Sequence, residues 1–121
     1  MDQKGKSKRT QAERSAATQA KILEAAQNLI AERGLAHTST QDIARQAQVS
    51  RGAMLHHFPS RAVLIQATYA EMLRQESIRL REFARTLQPG QNRLKALTEY
   101  IWGRYQCGIF QVSMDYISEA R

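Results

Sequence analysis

The sequence predicts an all-α fold: a small three-helix unit, a long connecting helix and part of a further helical region. Apolar residues recur at three- and four-residue spacing along nearly the whole chain, the period of a helix with one buried face. No stretch of useful length alternates apolar and polar residues as a half-buried strand would, and there is no internal repeat. Pro59 and the triplet Gln88-Pro89-Gly90 break the helical pattern at defined points.

The elements follow in chain order. Residues 1–14 carry Lys4, Lys6, Lys8, Arg9 and Arg14 among Gly5, Ser7, Thr10 and Gln11, without apolar periodicity. They read as a flexible basic arm, suited either to phosphates and a minor groove or to being a solvated tail. The first helix is expected over 15–33. Ile22, Leu23, Ala25, Ala26, Leu29 and Ile30 form its apolar stripe, and Gly34 stops it by accepting a left-handed conformation. Ser39 and Asp42 form a capping box for a short second helix with Ile43, Ala44 and Ala47 on its inner face. Ser50 caps a third helix over 51–57, with Met54 and Leu55 as its larger apolar residues. Pro59 disfavours helix at Phe58 and ends it. Ser60 caps a long fourth helix through Leu64, Ile65, Thr68, Tyr69, Met72 and Leu73 to Leu80, Phe83, Ala84 and Leu87. Leu94, Leu97, Ile101 and Tyr105 mark a fifth helix, and 109–121 reads as a sixth.

Composition narrows the function. The chain has 121 residues, with 18 Lys+Arg against 11 Asp+Glu, and a formal charge of +7. Residues 1–60 hold 9 basic and 5 acidic residues, and residues 61–121 hold 9 and 6, so the excess runs along the chain. A polyanionic partner, above all nucleic acid, suits this balance. The single Cys107 excludes a disulfide framework and a cysteine zinc cluster. No apolar run approaches the roughly 18 residues of a spanning helix, and the basic, polar start is not a secretory signal. A soluble cytoplasmic protein that does not contact membrane is expected. No nucleophile, base and orienting group assemble, and there is no phosphate-binding glycine loop or metal-ligand cluster, so no enzyme and no cofactor are expected.

The short helices at 39–57 carry the functional signal. Helices of about two turns do not form alone in water. They need the stripe of the first helix to pack on, and the tight connection at Gln48-Val49 completes the layout of a helix-turn-helix. In that motif the second short helix enters the major groove. Arg51 can then form a two-bond fork with guanine O6 and N7, Gly52 permits close backbone approach, and Ala53 can pack against a thymine methyl. The start of the preceding helix, at Ser39, Thr40 and Gln41, attracts phosphate through its free N–H groups.

Ile22-Leu23-Glu24-Ala25-Ala26, Arg33-Gly34, Ser39-Thr40-Gln41-Asp42-Ile43-Ala44, Val49-Ser50-Arg51-Gly52, His56-His57-Phe58 and Arg61-x-x-Leu64 occur in this order. Over about 18–65 the sequence resembles the DNA-binding domain of TetR-family transcriptional regulators. The resemblance implies a homodimeric regulator, a repressor, with one recognition helix per subunit in the major groove of a palindromic double-stranded operator. It implies a small-molecule inducer that releases the DNA by changing the spacing of the two DNA-binding units. It places DNA contacts at Thr40, Gln41, Arg51, Gly52, Ala53, Leu55, His57 and Arg61. Three departures stand out. Leu55 replaces a tyrosine that binds phosphate, Gln48 stands where the turn usually has glycine and must adopt a left-handed backbone, and the family usually continues for several more helices. The expected organisation is a basic arm at 1–14, a helix-turn-helix domain at 15–62, and a ligand-binding and dimerisation region at 63–121 that stops short. Two alternatives stay open: a truncated DNA binder without inducer response, and a basic helical module that binds an acidic protein.

Other features have simpler readings. His56 and His57 are adjacent on a helix and point about 100° apart, so they do not converge on a metal, even with His37 nearby. Trp102, Tyr105, Cys107, Phe110 and Met114 fit helical core or a dimer contact as well as a ligand pocket, and core is expected. Cys107 has no activating neighbour beyond Arg104.

Overall fold

Six α-helices and no strand make up the described residues of the computed structural model, which are 10–106 and 110–119. The helices are α1 (Gln11–Arg33), α2 (Thr40–Ala47), α3 (Arg51–His57), α4 (Arg61–Thr86), α5 (Arg93–Arg104) and α6 (Phe110–Glu119), with a 3-10 turn at Leu35–His37 between α1 and α2. The basic residues Lys4, Lys6, Lys8 and Arg9 of the expected arm lie outside the described residues, as does Cys107.

The first helix begins at Gln11, four residues before the expected start at residue 15. Thr10 and Glu13 form a reciprocal capping box. The Glu13 N–H donates to Thr10 Oγ1 at 3.2 Å, and the Thr10 N–H donates to Glu13 Oε2 at 2.8 Å. This satisfies donors that a helix start otherwise leaves open. Residues 11–14, including Arg14, are therefore helix and not arm. At the other end Gly34 has φ 83° but ψ 161°, so it is positive-φ and extended rather than left-handed helical. Its N–H still closes on Ile30 O at 2.9 Å.

Burial organises the first half around one core. Ile22, Ala25, Ala26 and Leu29 of α1 meet Ile43, Ala44 and Ala47 of α2, Met54 of α3, Phe58 just after it, and Leu64 of α4. Alanines at four of these positions let α1 and α2 approach closely. Ser39, Ser50 and Ser60 each accept an N–H from the residue three further on, which fixes the starts of α2, α3 and α4.

The turn between α2 and α3 depends on Gln48, at φ 56° and ψ 43°. This is the left-handed geometry that the family's usual glycine implies, and it is costly for a residue with a Cβ. Gln48→Gly is therefore expected to stabilise the fold by about 0.5–1 kcal/mol, the relief of strain less the extra unfolded-state entropy of glycine. Urea unfolding of the two proteins checks this.

A second, smaller core of Ile30, Leu35 and Ile65 receives Val112 and Tyr116 from α6. Tyr116 stacks on Tyr69 with centroids 4.6 Å apart, and the Tyr69 hydroxyl and Ser113 Oγ are hydrogen-bonded at 3.2 Å. The α6 helix thus rests on the connection that leads into α2. No residue of α5 is buried. It is tied to α4 by Phe83 stacked on Tyr100 at 4.2 Å and by the Arg104 guanidinium on the Glu76 carboxylate, with Nε at 3.0 Å. Trp102 is 66% exposed, and Tyr105 and Met114 are also exposed, so these three are not core within this chain; Cys107 and the Phe110 side chain lie outside the described residues. Periodicity shows that these positions are apolar, not what covers them.

Hydrogen bonds from Arg104, then Arg79, hold the Glu76 carboxyl below the usual carboxylate range. A depressed folded pKa means that the stabilisation is fully present above the ordinary value of 4.5 and is lost as pH falls below it. Melting temperatures recorded from neutral pH down through that region should fall more steeply for the wild type than for Glu76→Gln.

Candidate nucleic-acid interface

The local sequence decides which side of α3 faces outward. Successive helical residues turn by about 100°. Met54 is buried against α1 and α2, while Ala53 and His57 are half-buried on the adjoining flank. Arg51, Gly52, Leu55 and His56 remain exposed and form one continuous outer face. Arg51 makes no hydrogen bond or ion pair among the described residues. No atom comes within 4 Å of where a Cβ on Gly52 would lie, so the backbone there is bare and approachable.

The preceding helix α2 contacts α3. Gln41 is exposed and Thr40 half-buried. The Ser39 hydroxyl donates to Asp42 Oδ2 at 2.6 Å, and Arg45 Nη1 donates to Asp42 Oδ1 at 3.3 Å. The Ser39 bond first, then the Arg45 charge, hold the Asp42 carboxyl below its ordinary value. Asp42 thereby orients Arg45, whose side chain is 79% exposed.

Of the residues expected at the site, Gln41, Arg51, Gly52 and Leu55 are exposed, and Thr40, Ala53 and His57 are half-buried. Two further residues of α2 and α3 that sequence reasoning did not assign, His56 and Arg45, are also exposed. His56 faces outward more fully than His57, with the two rings edge to face at 5.4 Å. The burial of Met54 two residues earlier could have indicated this from the helical phase. Arg45 could have been found from its place one turn after Gln41 on the exposed side of α2. Among the described residues no group of three His, Cys, Asp or Glu could hold a metal ion.

Arg61 makes contacts within the fold that the expectation did not include. It is half-buried, and its Nη1 and Nη2 donate to the backbone carbonyls of Thr38 and Leu35, the latter at 3.0 Å. Both acceptors belong to buried residues of the connection between α1 and α2. The side chain thus staples the start of α4 to the segment that sets the position of α2. Arg61→Ala is expected to cost about 1.5–3 kcal/mol of folding stability, the scale of hydrogen bonds from a charged donor. Arg61→Lys should recover only part, because an ammonium lacks the fork. Urea unfolding checks this. A residue that served only to hold a phosphate would leave stability unchanged and lower the salt slope of DNA binding by about one.

Residues 22–68 match the family described as bacterial regulatory proteins, tetR family. The chain is 34% identical over 113 residues to the HTH-type transcriptional regulator CymR of Pseudomonas putida, an alignment covering 93% of this chain and 56% of that protein. It is 48% identical over 50 residues to the HTH-type transcriptional regulator TtgR, also of Pseudomonas putida, covering 41% and 24%. The same identity and coverage hold for the probable HTH-type transcriptional regulator ArpR of Pseudomonas putida. The chain thus spans about half the length of CymR and about a quarter of the other two. The matched segment runs from the stripe of α1 through the outer face of α3 to the buried turn of α4. Over residues 22–68 the chain carries the segment that defines the TetR family of bacterial regulatory proteins.

Proposed function

We propose that this chain is a DNA-binding transcriptional regulator, a repressor, that inserts α3 into the major groove of double-stranded DNA. The observation that carries the reading is the outer face of α3. It offers an arginine without a protein partner among the described residues, a bare glycine backbone and an exposed leucine, on a helix held from behind by α1 and α2. A major groove admits such a helix, and an arginine fork is the commonest specific contact to guanine. Phosphate contacts fall to the start of α2 at Thr40 and Gln41, to Arg45, and to the two histidines, which fix register without reading sequence.

The full assembly is read as a homodimer on a palindromic operator, with half-sites about 34 Å apart, one helical turn of DNA. Residues 63–121 contribute to the dimerisation and ligand-binding region, and a small-molecule inducer releases the DNA. The contact of α6 with the connection ahead of α2 supports a mechanical link between the two regions. Selection of duplexes from a random pool tests the reading. A palindromic sequence should be enriched and its binding should survive excess unrelated duplex. Equal competition by unrelated duplex, or no enrichment, overturns it, and a complex with one protomer on one half-site overturns the dimer.

A further inference from the structure

We propose that Leu55 reads the methyl group of a thymine in the major groove, about two base pairs from the guanine contacted by Arg51. The inference rests on the DNA-binding reading above and adds a base identity to it. Leu55 is 41% exposed, although it follows directly on Met54, the residue that fixes α3 in the core. An isolated exposed leucine needs no explanation. This one lies four residues from Arg51, and residues four apart share one side of a helix. Both therefore project from the same outer face, displaced by about 6 Å along the axis. Base pairs succeed one another at about 3.4 Å per step, so the two side chains address bases about two steps apart.

The chemistry of the side chain sets its target. Leucine carries no donor or acceptor, so it can hold neither a phosphate nor a polar base edge. The apolar group that a base pair offers in the major groove is the C5 methyl of thymine. Gly52 adds nothing between Arg51 and Leu55 that would keep the helix away from the bases. Ala53 is half-buried on the inner flank and ends at Cβ, so the reach toward a methyl passes to Leu55.

The test uses a duplex enriched by the whole chain from a random pool, with each thymine replaced singly by deoxyuridine, which lacks only the methyl. For the wild type, one thymine per half-site should show about a fourfold loss of affinity, the worth of one buried methyl. Leu55→Ala should bind the thymine and uracil duplexes equally at that position. Arg51→Ala should bind more weakly but keep the discrimination. The inference is overturned if no single replacement weakens the wild type, or if Leu55→Ala keeps the same ratio. Failure to enrich any duplex would overturn the DNA-binding reading itself, so the two failures are distinct.

Discussion

Ile43→Ala is expected to destabilise the protein by about 2–5 kcal/mol, the range for truncating a fully enclosed isoleucine. Ile43 has no exposed surface and belongs to the cluster that α1, α2, α3 and α4 share. The cost combines lost transfer free energy with a cavity that neighbours cannot fill, since Ala25, Ala26, Ala44 and Ala47 have no side-chain reach to close it. Helices as short as α2 and α3 borrow their stability from this packing. The loss should therefore appear both as a lower urea midpoint with an unchanged slope and as weaker DNA binding that recovers at low temperature. Ile43→Val should cost about 0.5–1.5 kcal/mol. An unaltered midpoint for Ile43→Ala would show that the helices are not held by this core.

Arg51→Ala is the complementary case, with large effect on binding and almost none on folding. The side chain is exposed and has no hydrogen bond or ion pair among the described residues, so unfolding should shift by no more than about 0.5 kcal/mol. Binding to a selected operator should weaken by about 1–3 kcal/mol, and the preference for guanine at one position of each half-site should relax. Arg51→Lys keeps the charge but not the two-bond fork, so it should restore affinity across sequences more than it restores the preference. Titrations against the selected duplex and its single-base variants measure both quantities. Equal weakening on every duplex would make Arg51 a phosphate contact.

Much of the first half is legible in the sequence because its determinants are local. Ser39, Ser50 and Ser60 announce three helix starts by their position, and each cap forms as spaced. The family's usual glycine at position 48 implies a left-handed backbone there, and Gln48 has one. The same capping signal stands at Thr10–Glu13, but the basic residues before it overshadow it, so the first turn of α1 reads as arm. Asn92, which caps α5 through the Lys95 N–H, is another local signal that apolar spacing alone passes over. What sequence does not reveal is nonlocal. The carbonyls that hold Arg61 lie 23 and 26 residues away, and no periodicity reports them. The distinction between His56 and His57 depends on the rotation of α3 about its axis, which Met54 sets by entering the core. The exposure of Trp102 depends on what lies beyond α5, and helical spacing says nothing of that.

Methylation interference on the selected duplex reports whether α3 occupies the major groove. Dimethyl sulfate marks guanine N7 in the major groove and adenine N3 in the minor groove. Methylation at N7 of one or more guanines in each half-site should block binding by the wild type, and the block at the guanine contacted by Arg51 should vanish with Arg51→Ala. Interference confined to adenine N3, or none at any guanine N7, would contradict the placement of α3.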